Sequence, residues 1–150
     1  MNGFYSLREC KYPDKDWDWD ESGISSNPNL TIKMIEKFQI EKSFLVKDSD
    51  SYFETVTDYK PNRNYISVCD ARKVPHVKLY NKSFVEVSEQ NYILRTEEKE
   101  IMSKFFSCGG YFFSNSSEFV ENFKKYQKIE IGGEYFISNI IDIMIDSGII

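Results

Sequence analysis

Alternating apolar and polar positions mark the strands that can be predicted in the second half of the chain. Residues 66–70 and 76–80 alternate in this way, as half-buried strands do. Turn-forming residues at 81–83 lead into a further alternating segment, 84–87. We therefore predict that 84–87 pairs with the strand before it to form a hairpin.

The longest apolar run predicts a central strand. Residues 105–113 are almost continuously apolar, and the run is interrupted only by Gly109 and Gly110. Glycine inside a strand marks a bulge or a close approach of another backbone or ligand. Both readings are open for this pair.

Helical spacing dominates the remaining third of the chain. Asn115 is placed to cap a helix, with Glu118 three residues later, and a last helix is followed by Gly148 at a C-terminal cap position. A shorter helix is predicted after Asn29 and Thr31, and the polar stretch 96–102 as a short helix or loop. The apolar faces of the two C-terminal helices consist of Phe119, Val120, Phe123 and Tyr126, and of Ile137, Ile140, Ile141, Met144 and Ile145.

Strands alternating with helices predict an α/β fold, with a single mixed sheet and helices packed on it. Composition divides the chain into three parts. These are a Trp-containing segment with a short helix and turns (1–40), a polar connecting region (41–65) and the regular α/β part (66–150).

Composition and charge exclude several classes of function. A length of 150 residues suits one domain, and a net charge of −5 with a pI near 5.0 gives no support for a nucleic-acid partner. No run of about 18 apolar residues occurs, so no membrane span is predicted. Cys10, Cys69 and Cys108 lack the spacing of a zinc site, and we expect reduced thiols in a cytoplasmic protein.

Three sequence blocks occur in a characteristic order. Residues 77–90 form the first, 108–120 contain Cys-Gly-Gly-Tyr-Phe-Phe and a helix start, and 133–141 begin with Gly-Glu-Tyr-Phe. In this order they resemble the sugar-binding half of the sugar-1-phosphate nucleotidyltransferases over about residues 66–148. The resemblance implies a partial, Rossmann-like half-domain whose ligand is a sugar phosphate or a nucleotide sugar.

The resemblance also implies roles for individual residues. By position, Glu89 and Glu134 would accept hydrogen bonds from sugar hydroxyls, and Gly109 would let the backbone approach the sugar ring. Gln90 stands where the family has a lysine that meets the phosphate, so a positive charge is missing there. Both glutamates are also compatible with ordinary solvated surface carboxylates.

The catalytic parts of such an enzyme have no counterpart in the sequence. Before Gly109 the only glycines are Gly3 and Gly23, so the family's glycine-rich phosphate loop is absent. We find no metal-binding aspartate at the end of an early parallel strand, and the family's later Trp-x-Asp-x-Gly motif would lie beyond Ile150. We therefore assign no catalytic residue and no metal site to a degenerate, truncated or split member. Mg²⁺ is expected only if a complete transferase site is assembled.

The N-terminal segment contains both tryptophans, Trp17 and Trp19, between Pro-Asp-Lys and a later Asn-Pro-Asn-Leu-Thr. This order resembles a single copy of the Trp-rich repeats in some large DNA-virus proteins. It implies structural docking on the rest of the chain. The alternative function is a noncatalytic viral interaction module in the host cytoplasm, with the two Trp rings binding a protein partner. A third reading is an unrelated small α/β protein.

Overall fold

One five-stranded sheet with helices packed against it forms the described part of the chain, which in this computed structural model comprises residues 28–48, 60, 62–129 and 135–149. The strands are β1 (Phe44–Lys47), β2 (Tyr65–Asp70), β3 (Ser83–Val87), β4 (Ile93–Glu98) and β5 (Phe105–Phe113). The helices are α1 (Pro28–Phe38), α2 (Ser116–Ile129) and α3 (Ile137–Asp146). The predicted α/β class with a single sheet is confirmed.

Strand β5 is the centre of the sheet, and all the described pairings are antiparallel. Strand β2 runs along one edge of β5. The other edge is shared, because β1 pairs with residues 110–113 and β3 pairs at Phe106. Strand β4 pairs with β3 and is the outer strand on that side. The shared edge therefore changes partner just before Gly110.

Helices cover one face of the sheet and bury an aromatic core. Phe44 stacks on Phe113 at a ring-centroid distance of 5.2 Å, and Phe119 of α2 packs edge-on against Phe44 at 5.3 Å. The core continues through Phe123 and the buried side of α3. Aromatic burial on this scale is the main force that fixes helices to a sheet. Ile35 of α1 belongs to the same core, so the end of the predicted N-terminal segment packs on the α/β part.

Local sequence signals correctly place the start of α2 and the end of α3, whereas α1 begins at Pro28, ahead of the predicted cap residues Asn29 and Thr31. Asn115 Oδ1 accepts hydrogen bonds from the backbone N–H groups of Ser117 (2.9 Å) and Glu118 (3.2 Å), as an N-cap does. Gly148 has a φ of +71°, which is the left-handed conformation predicted for a residue just past a helix. No helix among the described residues is long and apolar enough to cross a bilayer.

Two predicted elements differ from the structure. Residues 76–80 form turns and part of a short 3₁₀ helix (Leu79–Asn81), so they supply no strand to the hairpin. Strand β3 pairs instead with β4, and 96–98 are therefore strand where a helix or loop was predicted. The side chains at 76–80 do alternate in solvent exposure. Val77 and Leu79 are half-buried, and His76, Lys78 and Tyr80 are exposed. This alternation does not lead to strand pairing.

Candidate functional site

A bulge in β5 positions Gly109. Ile66 of β2 lies opposite Tyr111 while Val68 lies opposite Ser107, so the single residue between them on β2 spans three residues of β5. Gly109 has a φ of +77°, a conformation that side-chain-bearing residues rarely adopt. Its backbone N–H donates to Ser107 Oγ at 3.0 Å. Both readings of the glycine pair, a bulge and a close approach, therefore hold at this position.

The close approach at Gly109 comes from Asp48, which directly follows β1. The backbone N–H of Asp48 donates to the Gly109 carbonyl at 2.7 Å. A Cβ added at Gly109 would lie 2.6 Å from the Asp48 Cβ and would overlap its carboxylate. The glycine is thus required by space as well as by backbone conformation. The contact places the Asp48 carboxylate beside the bulge, and the sequence analysis did not predict this carboxylate.

A second carboxylate, Glu98, is held at the end of β4. Ser83 Oγ donates to its Oε2 at 2.5 Å from β3, and Ser138 Oγ donates to the same oxygen at 2.8 Å from α3. Two hydroxyl donors on one oxygen fix the orientation of the carboxylate. Among the described residues, the hydrogen bonds to this carboxylate both go to Oε2.

Tyr111 connects the two carboxylates. It is buried, and its hydroxyl is 3.0 Å from Ser107 Oγ. Burial raises the pKa of Tyr111 well above its usual value, and the charges of Asp48 and, more weakly, Glu98 raise it further. The phenol therefore stays neutral. Ser107 bonds to both Tyr111 and Gly109, and the Phe84–Phe106 pairing places Ser83, a partner of Glu98, beside Ser107 on the next strand, so Gly109, Asp48 and Glu98 belong to one polar cluster.

Lys99 adds a cation at the edge of this cluster. It directly follows Glu98, has a φ of +60°, and its Nζ lies 4.7 Å from the centre of the Phe136 ring. Phe136 is the N-cap residue of α3, and its own side chain makes no capping hydrogen bond. A lysine and a helix N-terminus at the same place form an electropositive end beside Glu98.

The predicted ligand residues are only partly brought together. Glu89 and Gln90 lie in the turn between β3 and β4, and both are exposed. Phe84 lies opposite Phe106 in antiparallel register, so Glu89 and Gly109 lie in opposite directions from this pair. At ~3.3 Å per strand residue they are roughly 20 Å apart. Glu134, Trp17 and Trp19 lie outside the described residues.

The observed hairpin, β3–β4, is followed by a Glu-Lys pair, since Glu98 is the last residue of β4 and Lys99 comes directly after it. Glu89 and Gln90 lie in the turn of the same hairpin.

A metal site is not formed by the described residues alone. No group of three or more His, Cys, Asp or Glu side chains among residues 28–48, 60, 62–129 and 135–149 is arranged to hold an ion.

Comparisons with known proteins find structural similarity alone. No protein-family profile and no curated protein matches the sequence. The nucleoside-diphosphate-sugar pyrophosphorylase from Vibrio cholerae RC9 is similar with a TM-score of 0.63 and 20% identity, over 81% of this chain and 52% of that one. The inositol-1-phosphate CTP transferase from T. maritima is similar with a TM-score of 0.60 and 12% identity, over 83% and 49%.

These similarities show that the fold is nucleotidyltransferase-like, and the chain spans about half the length of each of these two structures. The resemblance of the N-terminal segment to viral Trp-rich repeats finds no support in the comparisons.

Proposed function

We propose that this chain binds a sugar phosphate or a nucleotide sugar in the polar cluster between Gly109 and Glu98, and that it has no complete catalytic site of its own. The observation that carries the proposal is the fixed carboxylate of Glu98, whose Oε2 accepts hydrogen bonds from both Ser83 and Ser138. The nucleotidyltransferase-like fold supports the ligand class.

Each described group has a defined task in this proposal. Glu98 Oε1 accepts a hydrogen bond from a sugar hydroxyl, and a charged acceptor gives a stronger bond than a neutral one. Gly109 takes part through its neighbour, because the space left by its missing side chain holds the Asp48 carboxylate, which is the group that a sugar ring would meet beside the bulge. Lys99 and the N-terminus of α3 attract the phosphate. Glu134 remains a further proposed sugar ligand outside the described residues.

Chemistry on the phosphate is not part of the proposal. Phosphoryl and nucleotidyl transfer depend on loops and metal ions that neutralise the phosphates. The sequence before Gly109 lacks a glycine-rich loop for that purpose. The chain is accordingly proposed as a degenerate, truncated or split nucleotidyltransferase-like protein of the cytoplasm.

The test is an amide ¹H–¹⁵N NMR titration of the full chain with sugar 1-phosphates and nucleotide sugars. We expect saturable shifts at Gly109 and at Lys99. Glu98→Gln keeps an acceptor for both serines but removes the charge, and should weaken binding about 10–100-fold, since a hydrogen bond to a charged group contributes about 1.5–3 kcal/mol. Glu89→Gln is the matched control and should leave the affinity unchanged.

Two results would contradict the proposal. If Glu89→Gln weakened binding and Glu98→Gln did not, the ligand would lie at the hairpin turn. If a well-dispersed spectrum ignored every ligand, the interaction-module alternative would be favoured, and Trp17 and Trp19 would become its first residues to substitute.

A further inference from the structure

Two cysteines on neighbouring strands lie beside the bulge. Cys69 of β2 is opposite Phe106 of β5, and Cys108 is two residues further along β5, so alternation puts both thiols on the same face of the sheet. Both side chains are half-buried, and Cys69 is near enough to contribute to the raised pKa of the Cys108 thiol. The next residue after Cys108 is Gly109.

We propose that Cys69 and Cys108 form a reversible disulfide that cross-links β2 to β5 and shifts the bulge at Gly109. As a consequence that rests on the proposed function, oxidation would weaken ligand binding at that glycine. The two side chains share a face on paired strands, so the bond requires only a local movement. Residues two positions from direct register in an antiparallel pair have Cα atoms about 7–8 Å apart. Disulfides prefer about 4.4–6.8 Å, so the strands must move closer by roughly 1 Å.

The bulge supplies that movement. Three residues of β5 face one residue of β2 at this point, and two of the three are glycines. Such backbone adjusts more readily than a regular ladder. A disulfide that forms only with this displacement is strained. Strained disulfides are more easily reduced, which is typical of regulatory rather than structural bonds.

A low-molecular-weight disulfide such as oxidised glutathione is the proposed oxidant. One protein thiolate attacks it, forming a mixed disulfide and releasing one glutathione thiolate. The second protein thiolate then displaces the other glutathione. The two cysteines together lose two protons and two electrons, and the oxidant becomes two glutathione thiols. Burial, with a smaller contribution from Cys69, raises the pKa of Cys108 to about 11, so this exchange should quicken as the pH rises above neutral.

The experiment uses the full chain with Cys10→Ser, which leaves Cys69 and Cys108 as the remaining thiols. It is equilibrated with mixtures of reduced and oxidised glutathione, and free thiols are counted. Non-reducing peptide mapping by mass spectrometry then identifies the bond. We expect both thiols to disappear together and to return with reductant. Adding Cys69→Ser or Cys108→Ser should leave only a glutathione adduct or a free thiol.

The amide spectrum measures the effect on the bulge independently of any ligand. Oxidation should shift the Gly109 and Gly110 signals while the spectrum stays well dispersed, and it should lower ligand affinity at least about fivefold. Persistent free thiols, a stable glutathione adduct or only dimers linked by disulfides would overturn the cross-link. Unchanged glycine signals would overturn its effect on the bulge. If no ligand binds even the reduced chain, the proposed function fails, whereas thiol counting and the glycine signals still decide the disulfide.

Discussion

The Asp48 side chain occupies the position in which a Cβ of residue 109 would lie, so β1 and β5 approach each other more closely there than two side-chain-bearing residues could. The contact is reinforced by the 2.7 Å hydrogen bond from the Asp48 N–H to the Gly109 carbonyl. The left-handed φ of Gly109 and this tight contact occur at the same residue.

Gly109→Ala should therefore destabilise the fold by more than its conformational cost. A left-handed alanine costs about 1–2 kcal/mol, and displacing Asp48 adds overpacking of about 1–3 kcal/mol. Gly148→Ala is the matched control, because Gly148 has a similar φ of +71° but nothing within 4 Å of an added Cβ. Urea unfolding measures the loss of stability in both glycine variants. Equal losses would show that Asp48 moves aside freely, and adding Asp48→Ala should recover part of the Gly109→Ala loss.

Removing either serine that holds Glu98 should weaken ligand binding more than it weakens the fold. Ser83→Ala or Ser138→Ala deletes one donor to Oε2, and a neutral hydrogen bond contributes about 0.5–1.5 kcal/mol, or roughly 2–10-fold in affinity. Ser147→Ala, which removes an exposed hydroxyl bond to Ile143, is the control and should leave the affinity unchanged. Isothermal titration with a sugar phosphate tests this. An unchanged affinity in both site variants would mean that the orientation of Glu98 is irrelevant to the ligand.

Alkaline pH should destabilise the protein in a defined window. Burial raises the pKa of Cys108 from 9.0 to about 11 and also raises the pKa of Tyr111, so the folded state keeps protons that the unfolded state loses. The stability these groups contribute is fully present below pH 9 and declines as the pH rises through about 11. Urea unfolding between pH 8 and 11 measures the slope. Cys108→Ser should flatten it, and an unaltered slope in that variant would assign the loss to other groups.

Asp142 should stabilise the fold through Thr96. Its Oδ1 accepts the Thr96 backbone N–H at 2.7 Å and the Thr96 hydroxyl at 3.1 Å. Asp142→Ala leaves these buried donors without that acceptor and should cost about 1–3 kcal/mol. Glu121→Ala breaks an exposed ion pair with Lys125 within α2 and should cost no more than about 0.5 kcal/mol. Thermal and urea unfolding compare the two, and a similar small loss in both would contradict the prediction.

The sequence predicts the parts of this fold that depend on neighbouring residues. The cap at Asn115 and the apolar stripe of α3 are local patterns, and the structure has both helices. Strand β5 was also predictable, because a nine-residue apolar run broken only by glycines is typical of a buried central strand.

The elements that were missed depend on distant contacts. Residues 96–98 read as polar and helix-compatible, yet they form strand because Ser138 and Asp142, about 40 or more positions away, satisfy their polar groups. The side chains at 76–80 alternate between half-buried and exposed, but no strand pairs with this segment, so it does not form a strand. The candidate site illustrates the same rule: the bulge at Gly109 follows from its own sequence surroundings, whereas Glu98 acquires its two serine partners only when β4 meets β3 and α3.

The bond between Asp142 and Thr96 also affects how this sheet ends. Strand β4 is the outer strand beside β3, and its Thr96 N–H points away from β3 toward the helix carboxylate. An exposed edge of this kind is normally a template on which another chain can add a strand. Here an acidic side chain already occupies the donor at the middle of the edge, and strand-by-strand growth into aggregates is blocked at that point.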